Sequence, residues 1–334
     1  MARLAAIIGA LARAERRDQK SFQSVVGNNF FIVTALLLQK AGGFIYLIIG
    51  LVLLFPLSTD PLRKIPASRL ALWPLEARER RLLRAVSPWV NPMTWIIAGL
   101  ALWAARGKVS LGLWALAAGL VAAGFVLSDL PFAPMQALWR RIPEFPIALN
   151  HLVRKNLREL LSTLDFYCAL LLSVGALVYR AFGLPLPTEA FLALTMLVVL
   201  ALSSYTLCLF GLDGSGGLSR YHLLPLRGWQ ILAAKDAAFL LIAFPLVLPL
   251  APLAGLGAAL VALAVGHEPS VNRRRAQTRW RFSTGASVMT GLLQAAVMTM
   301  GAAGIYFTSA FVLLPCVLAW LVSLWACGRA IDRN

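Results

Sequence analysis

The residues able to do chemistry are few and far apart. His151, His222 and His267 each fall in a different polar segment. A zinc hydrolase helix needs two histidines four apart around a glutamate, as in H-E-x-x-H. His267-Glu268 supplies only the start of that pattern, so the three histidines read as interfacial or solvated. Cys168, Cys208, Cys316 and Cys327 lie in apolar stretches without C-x-x-C spacing. They read as small buried apolar residues, not as a redox pair or a zinc set. The glycine-rich stretch 211–217 could cradle a phosphate, but it lacks the Lys-Ser/Thr that completes such a loop, and it reads as a flexible turn. Asp165, Glu189 and Asp236 sit near expected helix ends, where a carboxylate costs little, whereas a proton relay places its carboxylates deeper. Lys40 is the charge expected deepest in an apolar segment, with its ammonium reaching back to the surface. Gln294 is expected to hydrogen-bond between helices.

The elements that must carry these residues follow from composition. Of 334 residues, 60% are apolar and only 13% are charged, yet Lys and Arg outnumber Asp and Glu 31 to 14, a net charge of +17. An ordinary soluble domain is about 45–50% apolar with glycine counted and about 25% charged. This balance excludes a disordered chain and a soluble nucleic-acid binder. It predicts an all-α polytopic membrane protein, whose spanning helices each need about 20 apolar residues. Clear candidates are 111–128, 164–182, 188–210, 286–304 and 306–327, with 89–105 as a further span. Residues 23–57 are too long for one span and break at the polar-glycine run 39–43, which predicts helices over 23–40 and 43–57. Residues 238–266 contain Pro245, Pro249 and Pro252, which predict two short helices, 238–250 and 253–266, full-spanning or re-entrant. Residues 3–20 predict an amphipathic helix lying on the membrane surface.

Charge placement favours this count of about ten. With both termini cytoplasmic, 27 of the 31 basic residues fall on the cytoplasmic side. That asymmetry is the positive-inside pattern. Arginines of the loop 267–285 then act as anchors on anionic lipid.

A sequence pattern also repeats. Arg69-Leu70-Ala71-Leu72-Trp73-Pro74-Leu75 precedes a charged helical segment, and Arg220-Tyr221-His222-Leu223-Leu224-Pro225-Leu226 precedes another, at a constant offset of 151. A weaker echo, Arg13, Arg17 and Ser21 against Arg154, Arg158 and Ser162, precedes each copy. The repeat predicts two parallel four-helix units, each with a surface elbow in which proline opens a helix. The expected division is a first unit over 1–128 with its elbow at 58–88 and a basic connector over 129–163. A second unit over 164–285 carries the repeated elbow at 211–237, and a C-terminal hairpin and tail fill 286–334.

The second copy, with Leu209-Phe210-Gly211, Asp213, Gly214, Leu223, Leu224, Pro225, Leu226, Ile231, Leu232 and Lys235, resembles the central motif of ABC-2 type transporter permeases. The first copy resembles the corresponding element, and 265–288 resembles the family's basic loop and Ser/Gly-rich helix start. Cys208 departs from the asparagine common there. The resemblance implies a permease subunit of an exporter in a bacterial cytoplasmic (inner) membrane, working as a homodimer or heterodimer with a separate cytoplasmic ABC ATPase. ATP and Mg would sit on that partner, with no cofactor and no catalytic site in this chain. The coupling contacts it implies are Pro74, Leu75, Glu76, Arg78, Glu79, Arg80 and Arg81, then Pro225, Leu226, Arg227 and Trp229. A stand-alone secondary transporter and a membrane-embedded enzyme are the alternatives.

Overall fold

The computed structural model describes residues 2–17, 61–65, 67–90, 149–181, 188–213, 217–221, 223–272 and 288–333, with single positions between 95 and 119. Among the described residues every regular element is helical. The chain forms two compact units, one from 1–27 with 40–131 and the other from 28–39 with 132–334. The expected spans 23–40, 43–57, 89–105 and 111–128 lie almost wholly outside the described residues.

In the first unit, helix α1 (Ala2–Arg17) carries Leu4, Ile7, Ile8 and Leu11 on one stripe, the spacing of an amphipathic helix. That stripe does not face outward. It packs on Leu62, Leu75 and Leu83, flanked by Ile65, Leu70, Trp73 and Val90. These come from a 3-10 turn (Pro61–Lys64), the short helix α2 (Ala67–Ala71), helix α3 (Ala77–Val86) and a second 3-10 turn (Ser87–Val90).

The second unit holds α4 (Asn150–Leu161), α5 (Leu164–Ala181), α6 (Thr188–Thr206), α7 (Gly217–Tyr221), α8 (Gly228–Val247), α9 (Pro252–Asn272), α10 (Val288–Phe307) and α11 (Leu313–Arg333). Helix α9 is the hub and packs against α6, α8, α10 and α11. Gly228–Val247, Pro252–Asn272, Met289–Phe307 and Ala310–Arg333 are each long and apolar enough to cross a membrane. Asn150–Leu161 with Asp165–Val178 would make a fifth span, bent by 74° at its break. The protein is therefore read as membrane-embedded.

Two expected boundaries are corrected. Helix α8 starts at Gly228, not 238, because Lys235 and Asp236, which end the apolar run in the sequence, are buried inside it. Helices α8 and α9 have 20 and 21 residues, or about 30 Å each at 1.5 Å per residue, which is full spanning length. The final helix begins at Leu313, not 306, because Ser309 interrupts the chain and its hydroxyl accepts the Phe311 N–H at 3.2 Å.

The α8–α9 turn shows where its backbone groups go. Pro252 opens α9 at the position where a missing N–H costs nothing. Ser173 donates to the Leu246 carbonyl at 2.6 Å, and Arg180 donates to that of Pro249 at 3.0 Å. The Ala251 N–H reaches the Thr195 hydroxyl at 3.2 Å. Side chains of α5 and α6 thus satisfy this turn, where a buried unpaired group would cost about 1–3 kcal/mol.

Candidate functional site

The two elbows fold alike, bond by bond. In the first, Leu72 N donates to Arg69 O, Trp73 N to Leu70 O, Leu75 N to Trp73 O and Arg80 N to Glu76 O. In the second, Leu223 N donates to Arg220 O, Leu224 N to Tyr221 O, Leu226 N to Leu224 O and Ile231 N to Arg227 O. Each pair is offset by 151. The cap repeats as well: Glu76 N donates to the Glu79 carboxylate at 3.2 Å, and Arg227 N to the Gln230 amide oxygen at 2.9 Å. An N3 Glu or Gln reaching back to the N-cap is half of a capping box.

The role of proline differs from expectation. Neither Pro74 nor Pro225 opens a helix, since α3 starts at Ala77 and α8 at Gly228. Each sits at the centre of a three-residue turn, closed by Leu75 N to Trp73 O and by Leu226 N to Leu224 O, both 2.8 Å. An inverse γ-turn needs a central φ near −75°, and proline is already fixed close to it. Ahead of each proline stands an exposed leucine, Leu72 at 82% and Leu223 at 84% exposure.

Around these turns the coupling candidates divide. Pro74, Glu76, Arg78 and Arg81 are exposed, as are Pro225, Arg227 and Trp229. Leu75 is buried in the α1 cluster, and Leu226 is half-buried. Glu79 holds the cap. Arg80, also exposed, folds back along the surface and donates to the carbonyls of Leu75, Ala71 and Trp73 at 3.1, 3.5 and 3.4 Å. Arg80 therefore braces its own turn.

Behind the second elbow lies a buried ionic cluster built on residues that the first elbow does not share at the 151 offset. The Asp213 carboxylate takes the Lys235 ammonium at 2.8 Å, that of Lys155 at 2.5 Å and the Tyr221 hydroxyl at 2.9 Å. Lys155 also donates to the Tyr221 oxygen at 2.9 Å, and Lys235 to Asn156 Oδ1 at 3.3 Å. The Phe210 and Tyr221 rings flank the Lys235 ammonium at 5.0 and 5.5 Å, within cation–π range. Burial pushes the Asp213 carboxyl up, but Lys235 and Lys155 outweigh it and hold it below the ordinary carboxylate range. Burial also pushes the Tyr221 phenol up. At the 151 offset, Leu62 and Leu70 stand where Asp213 and Tyr221 do, and Arg84, which is exposed, stands where Lys235 does.

The end of α6 positions Asp213. Ser270 of α9 donates to Thr206 O at 2.8 Å and accepts from Leu209 N at 3.1 Å. Gln294 donates to the Thr206 hydroxyl at 2.7 Å and to Ala262 O at 2.8 Å, the interhelical role expected of it. The start of α8 is fixed to the last helix. Gly228 N donates to the Asp332 carboxylate at 2.6 Å. A Cβ on Gly228 would meet the Gly328 carbonyl oxygen at 2.3 Å, and one on Gly328 would meet the Trp229 N at 2.7 Å. Only glycine at both positions permits this crossing.

A second cluster lies further along the same helices. Asp236 and His267 are fully buried. His267 Nε2 is 3.1 Å from both Asp236 oxygens, His267 Nδ1 is 3.0 Å from Ser323 Oγ, and Trp320 donates to Asp236 Oδ2 at 2.8 Å. The expectation of an interfacial or solvated His267 is thus overturned, as is that of an Asp236 near a helix end. His151 is exposed, and His222 lies outside the described residues. Asp165 does start a helix, yet it too is buried, accepting the Ser204 hydroxyl.

Sequence reasoning missed Lys155, Asn156, Trp320, Ser323, Gly328 and Asp332 as members of these clusters. Their partners are 56 to 104 residues away, and no local pattern announces them. For Trp320 and Ser323 the available signal is a polar group inside an apolar stretch, the same signal that marks Gln294. No family model, no curated protein and no solved structure matches this chain.

Proposed function

We propose that the chain is the transmembrane permease subunit of an ATP-binding-cassette exporter, served by a separate cytoplasmic ATPase. One observation carries this reading: two elbows with identical turn bonding end in exposed leucine, proline and arginine side chains, on a segment that resembles the ABC-2 motif. The motif residues Phe210, Asp213 and Lys235 meet in one buried cluster, which gives their spacing a physical reason. In this reading the elbows face the cytoplasm, both termini lie there, and two parallel four-helix units rock as the ATPase pair closes. A coupling of this kind requires differential contact with the two ATPase states. The contact residues are Leu72, Pro74, Glu76, Arg78 and Arg81 on the first elbow, and Leu223, Pro225, Arg227 and Trp229 on the second. Arg80 and Glu79 are positioning residues behind it.

The test is purification of the full chain from its native membrane. The expected result is ATP hydrolysis by a co-purified P-loop protein, lost together with that protein on Arg78→Glu and Arg227→Glu in a variant that still elutes as a folded species. Transport that persists in proteoliposomes free of any ATPase overturns the reading.

A further inference from the structure

Helix α4 meets the rest of its unit with one side only. Val153, Asn156, Leu157, Leu160 and Leu161 are buried. The Lys235 ammonium donates to Asn156 Oδ1 at 3.3 Å, so α4 lies beside the first turns of α8. At about 3.6 residues per turn, the middle of the opposite side carries His151, Lys155 and Arg158, with Arg154 and Glu159 at its margins. His151 and Lys155 are exposed, and the other three are half-buried. The apolar side of α4 is thus spent on the protein, and its outer side presents mainly charge.

The depth of α4 follows from α5. Helix α5 has 18 residues, with its charges at Asp165 in the first turn and Arg180 in the last. At 1.5 Å per residue it is about 27 Å long, close to the thickness of a hydrocarbon core. Asn150–Leu161 leaves Asp165–Val178 at 74°. With α5 upright in the bilayer, α4 runs off along its surface, where lipid headgroups lie. Charged side chains are costly any deeper.

The charge at that level is unbalanced. Across α4, the 3-10 turn 211–213 and α7, the cations are Arg154, Lys155, Arg158 and Arg220, and the carboxylates are Glu159 and Asp213. Four against two leaves a surplus of two positive charges, and Asp213 is also shared with the buried Lys235. Lys155 Nζ lies 3.8 Å from Glu159 and 2.5 Å from Asp213. The exposed Arg220 donates to the Asp213 carbonyl at 3.3 Å, so the outer edge of α4 and α7 converge on one residue. Lys155 also donates to the Tyr221 hydroxyl at 2.9 Å. The edge is therefore fixed in place before a headgroup arrives, which lowers the ordering cost of binding.

We propose that the outer edge of α4, with Arg220 beside it, is a docking surface for anionic phospholipid headgroups. Their phosphates lie along His151, Arg154, Lys155 and Arg158, and α4 rides on the membrane surface through them. The surface does not depend on what drives the protein, so it stands or falls apart from the permease reading.

The experiment replaces His151 with the photo-crosslinking amino acid p-benzoylphenylalanine in the full chain. The protein is reconstituted in bilayers of equal phosphatidylglycerol and phosphatidylcholine, and lipid adducts are identified by mass spectrometry. A basic group near an anionic surface is worth about fivefold in affinity, so phosphatidylglycerol adducts are expected to exceed phosphatidylcholine adducts by about fivefold or more. Arg154→Gln combined with Arg158→Gln brings the two toward the bilayer ratio, whereas Arg84→Gln in the first elbow leaves the enrichment in place. Raised salt lowers it without either substitution, which keeps the surface testable if the double variant fails to fold. Inorganic phosphate at matched ionic strength does not lower it. Adducts in the bilayer ratio from the start overturn the surface, as does an enrichment that neither salt nor a folded double variant reduces. Abolition by free phosphate at matched ionic strength overturns it in favour of a phosphate site. A crosslink to an acidic protein in place of lipid, when the same chain is irradiated in its native membrane, overturns it too.

Discussion

At the scale of single residues, the Asp213–Lys235 bond is the sharpest object in the molecule. A buried pair is weak support for stability in itself, but removing one partner leaves a buried charge and costs about 3–5 kcal/mol. The chain contains its own control, because the first elbow holds Leu62 where the second holds Asp213. Asp213→Leu is therefore expected to lower the thermal unfolding temperature sharply in detergent, and Asp213→Leu with Lys235→Met to recover most of it. A double variant no better than the single one would refute the pairing. Acid separates them further. The folded Asp213 carboxyl lies below its ordinary value, so its contribution is complete above about pH 4 and is lost as pH falls further. The wild-type chain should lose stability in that window by an increment that the double variant lacks.

At the scale of elements, the Gly228–Gly328 crossing joins the second elbow to the last helix. Gly328→Val places two methyl groups where the Trp229 backbone already lies at 2.7–2.8 Å from a Cβ. Overpacking of this kind costs about 1–3 kcal/mol, and hydrogen exchange should rise at the start of α8 and the end of α11 together. Exchange that rises at one end alone would mean that the two helices are not coupled there. The sequence made several of these elements readable. Helices α5, α6 and α10 follow from apolar stretches of spanning length, and the elbows from a repeat of seven residues. The first turns of α8 were unreadable because Lys235-Asp236 looks like a loop until Asp213, Asn156, His267 and Trp320 are folded around it. His267 looked solvated for the same reason, since nothing near it in the chain hints at Asp236, 31 residues earlier.

At the scale of the whole molecule, the net charge of +17 in a chain 60% apolar predicts that its polar ends sort by membrane side. In a background with the four native cysteines replaced, Leu223→Cys and Leu248→Cys mark opposite ends of α8. An impermeant maleimide should label Leu248→Cys in right-side-out vesicles and Leu223→Cys only after permeabilisation. Labelling of both from one side would show that α8 does not cross. The duplicated elbows have a mechanical consequence. The first is held by Leu4, Leu11, Leu62, Leu75 and Leu83, whose contacts are non-directional and survive small displacements. The second is held by ion pairs and hydrogen bonds that weaken steeply once bent. Two elbows of one shape thus rest on different supports, an apolar cluster behind the first and an ionic one behind the second, so acid or salt is expected to loosen the second before the first.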